Sequence, residues 1–292
     1  MTDTKRQHYV WRHYLKPWTV NNYIWCLREN NLFHPSLEKI AIEKYFYKRV
    51  PLNEIELKIL VEMIKKTPLG NHFLLFQDLI TYCEIGNNSN EFIRKYGLED
   101  YHSKIETNMV PILDCLYKKD LSFLTDNDIK TEFYRFISIQ YNRTKCMQER
   151  AILATKNLPI VPPKDIEGKF EFNKINQALS FSLLTESIGN WLYSKANIYF
   201  LNTDHELIAS DQPIINIHSG NIGNFEPVTD CEFYYPLTPY LALFFTEKKS
   251  NDKFLSNEEI NSYNKMLFEK SYEQVYSLTK KTLEPYLNKS NA

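Results

Sequence analysis

The stretch Ile198-Tyr199-Phe200-Leu201-Asn202-Thr203-Asp204-His205-Glu206-Leu207-Ile208-Ala209-Ser210-Asp211-Gln212-Pro213-Ile214-Ile215-Asn216-Ile217 decides the fold class. Three short runs, Ile198–Leu201, Glu206–Ala209 and Ile214–Ile217, carry β-branched and aromatic side chains between polar turns, the composition of strands. The connection Thr203-Asp204-His205 is far too short for the crossover that a parallel pair needs, so the strands predict an antiparallel sheet. Two further strands are expected at Glu232–Tyr235 and Leu241–Thr246.

Upstream of these strands the pattern is helical. Asn53 is placed to cap a helix through Ile55, Ile59 and Met63 that stops at Pro68-Leu69-Gly70. A second apolar helix is expected from His72 to Ile85, and a third within residues 91–119. Thr125-Asp126-Asn127-Asp128 opens a long helix whose apolar positions Ile129, Phe133, Phe136, Ile137 and Met147 carry it toward Thr155. The prolines of Leu158–Lys164 exclude a helix there and mark the best internal boundary. Another helix is expected from Asn173 to Ser194. Downstream, Ser256-Asn257-Glu258-Glu259 caps a final helix to about Leu283.

Near the start, Tyr23–Leu27 and Leu32-Phe33 flank the turn-forming Glu29-Asn30-Asn31, which predicts a hairpin. This hairpin is expected to join the late strands. The fold class is therefore α+β, a helical middle with a mostly antiparallel sheet from the N-terminal hairpin and late strands. One domain over 1–292 is expected, with a helical subdomain at 52–156 and a sheet-containing part of 1–51 plus 172–292.

The composition is that of a globular protein, 43% hydrophobic and 24% charged, so the 292 residues can bury a substantial core. Only seven glycines are present, which argues against a glycine-cradled phosphate loop. Net charge is −1, which argues against a whole-protein electrostatic grip on nucleic acid. A local patch stands out, because residues 1–50 hold nine Lys/Arg against four Asp/Glu. The basic N-terminal region is therefore the candidate surface for nucleic acid or nucleotide. The five cysteines are widely spaced with no CxxC pair, the usage expected of reduced thiols. No apolar run approaches a membrane span and Met1 leads into polar residues, so a cytoplasmic location is expected.

The most concentrated chemistry lies in Gln7-His8-Tyr9-Val10-Trp11-Arg12-His13-Tyr14-Leu15-Lys16-Pro17-Trp18. It resembles the N-terminal His-Tyr-Val-Pro-like motif of a bacterial family, domain-of-unknown-function family 4238, with Trp11 where proline is usual. Tyr45-Phe46-Tyr47, Gln140-Tyr141-Asn142-Arg143-Thr144, Leu207–Pro213 and Tyr235-Pro236-Leu237-Thr238-Pro239 are similar to later segments of that family, in order, over about residues 7 to 246. The resemblance implies a shared fold and brings no established activity.

His8 is the first candidate, because a neutral imidazole exchanges protons near pH 7; its structural alternative is a histidine that bonds a backbone group. Arg12 and Lys16, four residues apart, share a face and with Arg6 form either a phosphate receptor or a solvated basic surface. Gln140 and Arg143 neighbour one another on an apolar helix, where a buried arginine requires a partner such as Asp211 or an anionic ligand. Ser210 and Asp211 end a strand, where side chains converge on clefts, although Asp211 also suits a simple turn. The candidate catalytic set is His8, Arg143 and Asp211, with Gln7, Tyr9, Arg12, Gln140 and Ser210 as ligand-binding candidates. Neither a metal site nor a cofactor is indicated: there is no HExxH, Cys/His cluster or GxSxG elbow. Two readings follow. One is a metal-independent enzyme acting on a phosphodiester, nucleotide or nucleic acid, of the toxin or anti-phage effector type. The other is a non-catalytic binding module with a structural His/Arg/Asp network.

Overall fold

The computed structural model describes residues 6–65, 80–156, 168–179, 185–220 and 230–289. Strand β1 (Arg6–His8) leads into the short helix α1 (Arg12–Leu15) and a 3-10 turn, Lys16–Trp18. The expected hairpin follows as β2 (Trp25–Arg28) and β3 (Asn31–Phe33). Its turn residues Glu29 and Asn30 hold φ of 50° and 60°, the left-handed geometry that a tight two-residue hairpin turn requires. Strand β4 (Ile42–Lys44) returns antiparallel to β1.

The helical middle begins with α2 (Glu54–Lys65). Asn53 caps it as expected: its side-chain oxygen accepts from Ile55 N at 3.0 Å and Glu56 N at 2.9 Å, and Glu56 reaches back to Asn53 N at 2.7 Å. Residues 80–86 are helical; the start of that expected helix, from His72, lies outside the described residues, as does the proline segment Leu158–Lys164. The third helix, α3 (Glu91–Tyr117), is 27 residues long and capped by Asn90.

The long helix expected from Thr125 to Thr155 is two helices, α4 (Asn127–Asn142) and α5 (Lys145–Lys156), broken at Arg143-Thr144. Asp126 caps the first. At its far end Thr144 Oγ1 turns to the side chain of Gln212, and this tertiary bond holds the interruption. Of the helix expected over Asn173–Ser194 the described parts are helical, as α6 (Phe172–Leu179) and α7 (Thr185–Lys195); residues 180–184 lie outside the described residues.

The late strands are β5 (Asn197–Asn202), β6 (Ala209–Ser210), β7 (Ile215–Asn216), β8 (Phe233–Thr238), β9 (Leu241–Thr246) and β10 (Lys253–Phe254). Helix α8 (Asn257–Lys270) follows with a full Ser256/Glu259 capping box. It ends well short of Leu283: the chain turns at Ser271 into strand β11 (Gln274–Ser277) and then the short helix α9 (Lys280–Leu283). A final helix to Leu283 is therefore corrected to helix, strand, helix. The Val275-Tyr276 pair is buried between two neighbouring strands, and that tertiary pairing overrides the local helical pattern.

Among the described strands every pairing is antiparallel except that of β10 with β5. One sheet runs β10-β5-β9-β8-β7 and a second runs β3-β2-β11-β6. The N-terminal hairpin does join the late strands, through β11 and only in the second sheet. The leader is fastened to the same region. Trp18 Nε1 donates to Leu207 O at 2.8 Å, and Tyr14 stacks on Tyr235 with ring centroids 5.2 Å apart. Tyr9, Tyr14 and Trp18 are thus core residues; the polar atoms of Tyr9 and Trp18 find partners there, whereas Tyr14 Oη is buried without one among the described residues.

Candidate functional site

A cavity of about 540 Å³ opens between the leader and α3. Its position follows from how β1 is held. Gln7 is buried, and its side chain donates to Lys95 O on α3 at 2.7 Å while accepting from Tyr47 N at 2.8 Å. Side chains alternate across a strand, so with Gln7 committed inward His8 faces the other way, into the cavity wall. Tyr47 Oη donates to His8 O at 3.2 Å and fixes the strand end.

Arg12, His13 and Lys16 come into the wall from α1 and the turn after it. From α3 come Glu99, His102, Ser103, Glu106 and Thr107, spaced as one face of a helix. Arg143, the C-cap of α4, closes the inner side. Trp11 stacks on His13 with centroids 5.0 Å apart and sets its edge against Phe136, adding a fixed aromatic surface.

The three histidines are all biased toward the neutral form. Burial, helped by the Arg12 charge, pulls His8 down to about 4. Burial and Lys16 lower His13, and burial with Arg143 and Arg49 lowers His102 well below its usual range. His8 Nε2 is buried and has no hydrogen-bond partner among the described residues.

Arg143 is also buried. Its Nη2 donates to Glu106 Oε1 and, at 3.1 Å, to Gln140 Oε1. Burial works to lower the arginine's pKa, but the Glu106 carboxylate outweighs it and the guanidinium stays firmly charged. The arginine therefore has a structural partner, and it is Glu106 on α3 rather than Asp211. That pair leaves Arg143 Nε buried without an acceptor among the described residues.

The remaining candidates sit elsewhere. Asp211 is buried, and its carboxylate accepts from Tyr272 N at 2.8 Å, Glu273 N at 2.7 Å and Gln274 N at 3.0 Å. Burial pushes its pKa up to about 6, against the pull of those three N–H donors. Asp211 thus shapes the entry into β11; its hydrogen bonds reach neither His8 nor Arg143. Ser210 Oγ is spent locally, donating to Gln212 O at 2.8 Å and accepting from Gln212 N at 3.1 Å. Tyr9 accepts from Gln274 Nε2 at 2.9 Å and is too deeply buried to stack on a base.

His8, Arg12 and Arg143 are therefore brought together, with Gln7 and Gln140 supporting them from behind. Asp211, Ser210 and Tyr9 do not line this cavity. Sequence reasoning missed the α3 wall. The available signal was the i, i+4 pair His102/Glu106 within a helix of mixed polar and apolar residues.

The family described as "Protein of unknown function (DUF4238)" matches residues 6–281, from β1 into α9. The chain belongs to this family. The match confirms the resemblance carried by the N-terminal motif and extends it past residue 246, so the DUF4238 region includes β11 as well as the cavity. No curated protein and no solved structure matches the chain. Among the described residues of this DUF4238 member no helix is long and apolar enough to cross a membrane, and no group of three His, Cys, Asp or Glu side chains could hold a metal ion.

Proposed function

We propose that this chain is an enzyme that acts on a phosphodiester or nucleotide bound in the cavity, with His8 moving the proton. The observation that carries the reading is that one cavity is lined by His8, whose Nε2 has no partner among the described residues, together with the cations Arg12, Lys16 and Arg143. A buried polar group without a partner costs about 1–3 kcal/mol, a cost relieved by a ligand that offers the missing bonds. A phosphate oxygen accepts from the exposed Arg12 and Lys16, and a hydroxyl or leaving oxygen exchanges its proton with His8.

Arg12 and Lys16 are exposed at the rim and supply positive charge where a phosphate would develop it most negatively. Free His8 is too weakly basic to take a proton efficiently at neutral pH. An anionic phosphate beside it favours the imidazolium and raises its pKa toward neutrality, so proton transfer is switched on by the substrate. A role as cellular toxin or anti-phage effector is consistent with such an activity.

The alternative is a non-catalytic binding module. The Arg143–Glu106–Gln140 network favours it, because this cluster is satisfied largely from within the protein. Turnover of a panel of phosphodiesters, nucleotides and oligonucleotides by wild type, His8→Ala and the double variant Arg12→Ala/Lys16→Ala separates the two. The enzyme reading expects a loss of about 100-fold or more in kcat for His8→Ala, typical of a lost acid–base group, and a raised KM for the double variant. Turnover unaffected by His8→Ala, in proteins whose melting curves remain cooperative, would reject it.

A further inference from the structure

Among the described residues, three basic and three acidic side chains line the cavity. Arg12, Lys16 and Arg143 stand against Glu38, Glu99 and Glu106. The unpaired cations and the α3 carboxylates come from different elements. Arg12 and Lys16 sit on the leader and hold no hydrogen bond or ion pair to an acidic group among the described residues. Glu99 sits eight residues before Thr107 on the α3 face that also presents Ser103, and Glu106 is already committed to Arg143. Burial raises the Glu99 carboxyl while a bond from Gln7 lowers it, as expected for an acidic group held partly out of water.

Such a cavity is mismatched to a polyanion. A strand of nucleic acid places a negative charge at every residue and needs a continuous basic track. Here the cationic end is only as large as one phosphate requires, and the acidic wall repels the next. A volume of about 540 Å³ lies within the range of small-molecule sites, which enclose most of a ligand's surface. The acidic wall asks for a hydrogen-bond donor on the ligand, and the half-buried Trp11 ring in the same lining adds aromatic surface.

We propose that the ligand of this cavity is a free nucleoside monophosphate whose base carries an exocyclic amino group, its phosphate at Arg12 and Lys16 and its amino edge toward Glu99. This rests on the cavity being the functional site, and it narrows the substrate from nucleic acid and phosphodiesters in general to a mononucleotide.

Calorimetric titration of the full chain with AMP, CMP, UMP, inorganic phosphate and a single-stranded ten-nucleotide RNA tests it. AMP and CMP are expected to bind at least about tenfold tighter than UMP and inorganic phosphate, since one well-placed hydrogen bond to a charged group is worth about that factor. The RNA should bind no tighter than AMP, and the salt dependence of AMP binding should be shallow, as for a single phosphate contact. Arg12→Ala/Lys16→Ala should weaken AMP by about tenfold or more, and Glu99→Gln, which keeps the shape, should erase the preference of CMP over UMP.

Absence of nucleotide binding, equal binding of inorganic phosphate and AMP, or tighter binding of the RNA would each overturn the assignment. The two levels fail separately. Nucleotide binding with turnover indifferent to His8→Ala removes the enzyme and keeps the ligand. His8-dependent cleavage of the RNA that AMP cannot inhibit removes the ligand and keeps the enzyme.

Discussion

Gln274 Nε2 donates to Tyr9 Oη at 2.9 Å, so the strand nearest the end of the chain holds the leader that begins it. The same glutamine side chain accepts from Tyr276 Oη at 3.1 Å and from Ala41 N at 3.5 Å. One amide therefore serves two buried hydroxyls and a backbone N–H. Gln274→Ala should lower stability by about 2–4 kcal/mol, because it strands several buried polar groups at once. The check is a urea titration: the midpoint should fall while the slope is unchanged.

The Asp211 carboxylate accepts from the backbone N–H of that glutamine at 3.0 Å and holds it in place. Asp211→Ala leaves three buried N–H groups without their acceptor and should cost about 3–5 kcal/mol. Asp211→Asn keeps one acceptor oxygen and should fall between the two. Thermal melts of the three proteins decide. A protein that keeps its melting temperature but loses activity would return Asp211 to the functional set.

Arg143 and Glu106 form a buried pair between α4 and α3. Removing either partner alone should destabilise by about 3–5 kcal/mol, since the survivor is a buried uncompensated charge. Removing both should cost much less than the sum, and a double-mutant cycle on unfolding free energies reads the coupling directly. Additive losses would show that the two charges act independently.

His8 gives stability a defined dependence on acid. Its folded pKa of about 4 lies below the unfolded value of 6.5, so between these limits the unfolded chain binds a proton that the folded chain refuses. Stability contributed by neutral His8 is present above pH 6.5 and is lost as pH falls toward 4. The lowered His13 and His102 act in the same sense, whereas Asp211, raised from 3.8 to about 6, takes up its proton first in the folded state and opposes them. His8→Gln should therefore shrink the stability difference between pH 7 and pH 5 by about 1–2 kcal/mol, measured by paired urea titrations.

The parts of the fold legible in the sequence are those fixed by local chemistry. Glu29-Asn30 announces a turn, and Asn53, Asp126 and Ser256 cap helices where side-chain oxygens meet free N–H groups. Two features escaped because distant contacts decide them. The break at Arg143-Thr144 carries no glycine or proline and is held by Gln212, 68 residues away. Strand β11 was absorbed into a helix because only its neighbours, β2 and β6, specify its extended form. The site divides in the same way. The leader declared His8 and Arg12 by crowding unusual residues together. The carboxylates of α3 lie among other charged residues on a helix whose local pointer to the cavity face is only the i, i+4 spacing of His102 and Glu106.

The second sheet assembles strands from residues 25–33, 209–210 and 274–277, so its earliest and latest members are added side by side. During synthesis the hairpin must wait, unpaired along β2, until residues 274–277 have left the ribosome. Any premature stop upstream of residue 274 then releases a chain with an open strand edge, a species prone to aggregate and be degraded rather than to function in part.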